Sequence, residues 1–326
     1  MTKLLRDSIL ATLYYHDLFD FPLTKEEIKR FLIKPGLPAV CSPAKCGTKD
    51  RQGFYQGLNQ LIKEKKIFKK ENFYFLSSKE KTVKLRKRRE KYSQGKLRIA
   101  KKIVKILQFI PWIKMIAITG ALAMNNSDKD DDIDFLIITA ENRLWLTRLL
   151  TVVILEILGK RRRPRDIKVK DKICLNMFLD EMSLSLSRTK HNIFTAHEII
   201  QMKPILNRNN TYEKFLKANR WVKKYLPNSI EIKKLGNLAI KGKKKRLFSC
   251  LLPTALLFDC LEKAAYFFQL KYMKPKITQE QISPHFAFFH PKDISKKVLR
   301  EYKKRFRAFE GYSSTSPPKI RPHFCA

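Results

Sequence analysis

The chain runs to 326 residues and carries 69 Lys and Arg against 30 Asp and Glu, a formal net charge of +39. At 44% hydrophobic residues it is too apolar for a disordered chain, and so positive a field repels basic partners while drawing in polyanions. Its most apolar window, residues 247–258, contains Pro253, closes on Asp259, Glu262 and Lys263, and is too short to cross a bilayer, so no membrane partner is expected.

Lys is spread along the whole chain, so the charge suits contact with nucleic acid or nucleotides and equally suits a solubility device. The six Cys, at 41, 46, 174, 250, 260 and 325, show no Cys-x-x-Cys spacing. The N-terminus has charges inside its apolar stripe and no small-residue cleavage site, so free thiols in a reducing cytoplasm are expected. Cys41 and Cys46 make at most half of a zinc site.

Leu5, Ile9, Leu13 and Tyr14 fall at helical spacing and predict a first helix over residues 4–18. In FDFPLTKEEIKRFLI, Thr24 and Glu27 form the Thr-x-x-Glu capping box, and Leu23, Ile28, Phe31 and Leu32 make an apolar face. Residues 34–53, rich in Pro, Gly, Cys and Ser, predict a loop. A third helix is expected over 52–65, burying Leu58, Leu61 and Ile62. A short hairpin follows, Ile67-Phe68 and Phe73 to Leu76 about a turn at Glu71-Asn72. Three helices and a two-stranded ribbon in residues 1–78 resemble a winged helix. In nucleic-acid-binding examples the third helix enters the major groove and the wing meets phosphate. Lys63, Lys65, Lys66, Lys69 and Lys70 stand where such contacts would be made, and a winged helix that packs on protein would leave them merely solvated.

Residues 79–110 predict a long basic helical connector. Arg86, Lys87, Arg88 and Arg89 form a charge run that is either a solvated face or a clamp on a nucleic-acid backbone. Leu97, Ala100, Val104 and Leu107 then form a stripe expected to pack on the next unit.

That unit, residues 111–205, holds the chemistry. The predicted order is a strand from Met115 to Thr119, a glycine turn at Gly120, a short helix through Met124, a polar loop, and a strand from Ile133 to Thr139. Asp132 and Asp134 are two apart at the mouth of the second strand, so they project from one face. Two like charges held that close repel unless a cation lies between them, and a hard divalent ion such as magnesium suits their oxygens. Gly120 permits close approach of backbone to a phosphate, with free N–H groups at the helix start behind it.

A strand, Gly120-Ala121, Asp132 twelve residues on, and Asp134 entering Phe-Leu-Ile-Ile resemble the signature of the DNA polymerase beta-like nucleotidyltransferase superfamily. The resemblance implies two magnesium ions held by Asp132 and Asp134, a nucleoside triphosphate as substrate with its phosphates at Gly120 and Ala121, and a third carboxylate on a neighbouring strand. The chain departs from the pattern at Ala121, where the family has a hydroxyl or glycine. It departs again in the third strand candidate, residues 172–180, whose matching position is Asn176. An amide ligates through its carbonyl but takes no proton. Asp180 is the fallback, because alternation sets Cys174, Asn176, Phe178 and Asp180 on one face.

Residues 141–158 predict a helix apolar on most faces and therefore buried, ended by Gly159. The tract KRRRPRD, residues 160–166, is the densest positive cluster, either a phosphate or RNA contact or a polar turn. Helices are expected over 192–202 and 212–225. His197-Glu198 lacks the second His of a zinc-protease motif, and His197 reads as a packed helix residue. Residues 206–312 read as a helical C-terminal region, with helices over 246–272 and 292–306 and loops at Ser283-Pro284-His285 and His290-Pro291. Residues 313–326 read as a frayed tail.

The expected class is therefore α+β: a winged helix, a mixed nucleotidyltransferase-type sheet with flanking helices, and a helical C-terminal region. The expected activity is metal-dependent transfer of a nucleoside monophosphate from a triphosphate to an acceptor hydroxyl, on nucleic acid or a small molecule. The alternative is a catalytically degenerate core serving a module that binds RNA or DNA through the winged helix.

Overall fold

The computed structural model describes residues 3–34, 48–76, 79–164, 166–229, 240–241, 252–278, 280–289 and 294–310. The expectations for Cys41, Cys46, Cys250, Cys325, most of the loop over 34–53, His290-Pro291 and the tail over 313–326 lie outside these residues.

The chain opens with α1 (Lys3–Asp17), β1 (Leu23–Thr24) and α2 (Lys25–Arg30). The capping box is present: the Glu27 N–H donates to Thr24 Oγ1 at 3.3 Å, and the Thr24 N–H donates to Glu27 Oε2 at 2.9 Å. Helix α3 (Thr48–Lys63) begins four residues before its predicted start. Strands β2 (Ile67–Lys70) and β3 (Phe73–Leu76) pair antiparallel about Glu71, whose φ of 53° makes the turn. Strand β1 also pairs with β3, giving a three-stranded sheet in the order β1-β3-β2. Ile9, Leu13, Leu23, Ile28, Leu58, Leu61 and Ile67 form its core.

Helix α4 (Lys81–Leu107) links this unit to the rest. Arg86 is no surface clamp. It is 5% exposed, donates to Glu27 at 2.7 and 2.8 Å, to Glu90 and to the Pro22 carbonyl, and lies over the Phe21 and Phe73 rings. The half of the charge run that faces inward thus fastens α4 to the N-terminal unit, and Lys87 and Arg88 stay exposed.

A seven-stranded mixed sheet follows: β4 (Ile113–Ile118), β5 (Ile133–Thr139), β6 (Ile173–Asp180), β7 (Lys203–Asn207), β8 (Ile240–Lys241), β9 (Gln281–Ile282) and β10 (Phe286–Phe288). Its order is β8-β7-β4-β5-β6-β10-β9, with β5–β6 and β7–β8 parallel and the other pairs antiparallel. The expected helical C-terminal region therefore contributes strands too, each of two or three residues and too short to carry a periodicity.

Side-chain alternation sends Ile116, Ile118, Phe135 and Ile137 to one face. There they pack with Ala100, Val104 and Leu107 of α4, as the stripe predicted, with Trp145 and Leu155 of α6 (Leu144–Ile157), and with Ala265 of α9 (Leu252–Met273). Helix α6 is not wholly buried as expected, since Val153 and Ile157 are 46% and 79% exposed. Met115, Ala117, Leu136 and Ile138 point to the other face. They meet Ala11 and Tyr15 of α1, Leu18 just beyond it, α7 (Ile193–Gln201), Phe215 of α8 (Thr211–Ala218) and Val298 of α10 (Ile294–Glu310). Helix α8 ends seven residues short of the predicted helix, and a 3-10 turn over Arg220–Lys224 carries the chain onward. Among the described residues no helix is long and apolar enough to cross a membrane.

Candidate active site at the mouth of strands β4 and β5

Strand β4 ends at Ile118, and Gly120 turns the chain with a φ of 63°, a region that L side chains adopt at a cost, into the four-residue helix α5 (Gly120–Ala123). The loop back to β5 is built and not merely solvated. Arg89 of α4 donates to Asp128 at 3.2 Å and to Asn126 at 3.3 Å, and Ser93 accepts from the Ser127 N–H at 3.2 Å. Lys96 donates to the Lys129 and Asp131 carbonyls and to Asp171 at 2.9 Å. Basic side chains of the connector thus hold the segment that delivers Asp132.

Asp132 stands just before β5 and Asp134 is its second residue, and the two carboxylates converge at the end of the strand beside the Gly120 turn. Their carboxylate oxygens and the Cys174 sulfur lie within 4.8 Å of one another, a grouping that has the proximity of a metal-ligand set. A basic partner reaches the pair from a distant part of the chain. Arg162, from the KRRRPRD tract, donates from Nη1 to Asp132 Oδ2 at 2.6 Å. The tract is no free loop, since Arg161 bridges to Ile173, Arg161 and Arg163 pair with Glu156, and the Arg162 N–H donates to the Ile173 carbonyl.

Asn176 sits where the third ligand was expected and donates from Nδ2 to Asp134 Oδ1 at 3.1 Å. Asp180 does not join it. The β5–β6 register runs Phe135 to Leu175 and then Leu136 to Met177, so Asn176 is an extra residue in a bulge. Beyond it the alternation is inverted. Phe178 packs with Phe135 and Ile137 on the opposite face, and Asp180 pairs with Thr139 at the far end of the strand. There it accepts from the Asn142 and Met182 N–H groups and meets His285 Nδ1 at 2.7 Å.

A further carboxylate bears on the pair from a helix. Glu198 of α7 accepts the Gly120 N–H, and its charge bears on Asp134. The donor that the sequence reserved for a phosphate is thus engaged by a carboxylate. Nothing in Thr-Ala-His-Glu links Glu198 to a strand some sixty residues earlier, since only the packing of α7 on the β4 face does so. His197, its neighbour, is a packed residue as expected: it is 1% exposed, bonded to the Ile193 carbonyl at 2.8 Å and stacked on Tyr15.

Burial, then the Asp132 charge, pushes the Asp134 carboxyl well above the usual carboxylate range, against the pull of Arg162. Burial pushes Glu198 up to about 7, opposed by its bond from Gly120. Burial and the two aspartates also raise the Cys174 thiol well above its ordinary value. The Asp132 charge and hydrogen bond outweigh the cost of burial at Arg162 and raise it. A cation or a proton is what this cluster lacks for charge balance.

Glu198 also lines a shallow cleft of about 30 Å³ between the N-terminal unit and the sheet. Tyr15, His16, Phe19 and Phe21 form one wall, with Gly120, Ala121, Met124, Asn126, Phe194 and Gln201 opposite. Comparison with protein-family models, with curated proteins and with solved structures finds no match to the chain.

Proposed function

We propose that the chain is a metal-dependent nucleotidyltransferase of the DNA polymerase beta-like kind, moving a nucleoside monophosphate from a triphosphate to an acceptor hydroxyl. The observation that carries this reading is the convergence of Asp132 and Asp134 at the mouth of β5, beside the left-handed Gly120 turn that closes β4. Two carboxylates are the protein share magnesium takes when phosphates and water supply the remaining ligands, so the residues present fit that ion. Cys174, whose thiol is pushed well above its ordinary value by burial and the two aspartates, stands beside this pair and is not counted among the magnesium ligands. A bound divalent ion would neutralise charge on the transferring phosphate and the leaving pyrophosphate.

The chain's own residues divide the remaining tasks. Asn176 orients Asp134 through its amide N–H and moves no proton. Arg162 fixes Asp132 and brings positive charge toward incoming phosphates. Glu198, tuned to about 7 and lining the cleft beside Gly120, takes the proton from the acceptor hydroxyl. Phosphates arriving at Gly120 draw its N–H away from Glu198, which frees the carboxylate for that step.

The N-terminal unit supports a winged-helix reading, with α3 as the recognition helix and β2–β3 as the wing. Lys63, Lys65 and Lys69 are exposed, beside the exposed rings of Tyr55 and Phe68. RNA or DNA is the partner this surface suits.

The test is incubation with each labelled triphosphate, magnesium or manganese, and a pool of RNA, DNA and hydroxylated small molecules. Label transfer that disappears in Asp134→Asn supports the enzyme. The second reading, a degenerate core in a nucleic-acid-binding module, is favoured by the Arg162–Asp132 pair and by Asn176 in an acid's place. It predicts a triphosphate-dependent rise in melting temperature with no transfer to any acceptor.

A further inference from the structure

Helix α9 buries polar groups beside Ala265, Tyr266 and Met273 while turning a large apolar face outward. Its buried side carries Glu262 and Gln269, 8% and 5% exposed. Glu262 accepts the Trp145 and Leu146 N–H groups at 2.6 and 2.8 Å, capping the start of α6, while Gln269 donates to the Trp145 carbonyl at 2.8 Å and accepts from Arg148. Its outward side carries Leu256, Leu257, Leu261, Phe267, Phe268 and Tyr272, between 41% and 72% exposed. At 100° per residue these six fall within one half of the helix. Rotating α9 to hide them would strip Glu262 from the N–H groups it caps and leave a buried carboxylate without its bonds. The orientation is therefore fixed by polar bonds, and the apolar face is left for something else.

Charge identifies the occupant. Lys263, Lys271 and Lys274 are exposed on and beside this face, and the charge of Arg163, 65% exposed in its side chain, bears on Tyr272. The sequence upstream of the helix reads KGKKKR over residues 241–246. A second copy of a chain carrying +39 meets repulsion across such a face. Nucleic acid suits the cations and finds rings at one end only, because Leu256, Leu257 and Leu261 give a base nothing to stack on. A surface both apolar and anionic satisfies all of these features. We propose that α9 is an interfacial helix that lies flat on an anionic lipid bilayer, with its Leu and Phe side chains among the acyl chains and the surrounding Lys and Arg on the headgroups. It lies on the bilayer and does not cross it, because Glu262 and Gln269 are spent within the protein. The α9 side of the sheet is opposite the face packed by α1 and α7, so the cleft faces solution.

The test is flotation of the full-length protein with vesicles of phosphatidylcholine alone or phosphatidylcholine mixed with phosphatidylglycerol. The expected result is binding to the mixed vesicles only, weakened by salt, and reduced about tenfold or more in Phe267→Ser/Phe268→Ser at unchanged melting temperature. Lys271→Glu/Lys274→Glu is expected to weaken binding as well, independently of the apolar change. Failure of the parent to float with anionic vesicles overturns the proposal, as does a Phe267→Ser/Phe268→Ser variant that floats like the parent. Sedimentation showing a dimer that this double variant dissolves assigns the face to a second copy. Loss of RNA retention in the same variant assigns it to nucleic acid. Either outcome overturns the lipid assignment.

Discussion

Arg162 donates to Asp132 at 2.6 Å, and this single contact makes the two aspartates at the mouth of β5 chemically unequal. Asp132 is balanced by a guanidinium of which only 12% of the side chain is exposed. Asp134, buried beside Asp132 and under the charge of Glu198, is held by the amide of Asn176.

The two Asn substitutions should therefore differ in stability and agree in activity. Asp134→Asn relieves a carboxyl whose raised pKa costs stability once it ionises, and melts at or above the parent temperature in metal-free buffer at neutral pH. Asp132→Asn removes the ion-pair partner nearest Arg162 and loses about 2 kcal/mol. Both abolish transfer and the rise in melting temperature that magnesium with triphosphate gives the parent. Thermal melts of the three proteins with and without these ligands read all of this, and equal metal-free melting of the two variants would contradict it.

Glu198 sets a pH dependence of definite sign. Its folded-state pKa of about 7 lies above the unfolded value near 4.5, so the folded protein holds the proton more tightly. Its contribution favours folding below 4.5 and is lost as pH rises toward 7. Glu198→Gln should match the parent near pH 4 and exceed it in stability at pH 8, as urea titrations at the two pH values would show. His16 acts in the opposite direction: burial lowers it to about 4, so its contribution is lost as pH falls from 6.5 toward 4. In the parent the two partly cancel, and the Gln variant exposes the His16 slope.

Arg86 and Arg88 stand two residues apart and should respond differently. Arg86→Met strands Glu27 and the Pro22 carbonyl and loses about 3 kcal/mol, while Arg88→Ala, on the exposed side, stays within about 0.5 kcal/mol of the parent. Denaturant unfolding of both settles whether the charge run is a fastening or a surface.

If the N-terminal unit binds nucleic acid, log affinity falls linearly with log salt, and each phosphate contact adds roughly one to the slope. Lys65→Ala and Lys69→Ala are expected to flatten the slope by about one each, since both are exposed. Lys70→Ala should leave it unchanged, because Lys70 is ion-paired with Glu80. A salt-independent affinity in the parent would leave the +39 as a solubility trait.

The sequence made β4, β5, the capping box and the β2–β3 turn legible, because each is a local pattern: an apolar run, a Thr-x-x-Glu spacing, a residue in the left-handed region. Long-range features left no such mark. Strand β7 is five residues with Pro204 inside, and Pro argues against a strand until β4 is there to pair with it. The bulge at Asn176 is one residue long, yet it reversed the facing of every later residue of β6 and so removed Asp180 from the site. Arg162 and Glu198 reach the aspartates through tertiary packing alone. The acids were readable from spacing, and the groups that tune them were not.

Helix α1 has a consequence for how the protein is made. Its Ala11 and Tyr15, with Leu18 just beyond it, pack with Ile199 and Ile200 of α7, Phe215 of α8 and Val298 of α10. The Lys34 N–H donates to the Tyr225 carbonyl at 3.0 Å, and Asn228 donates to the Lys29 carbonyl. Helix α1 is thus completed only by segments translated much later in the chain. At synthesis rates of roughly 5–20 residues per second, that delay is on the order of tens of seconds. Through that interval the apolar inner side of α1 has no sheet to rest on, so nascent chains are expected to need shielding by a chaperone until α10 emerges. Moving α1 to the C-terminus by circular permutation would shorten that engagement.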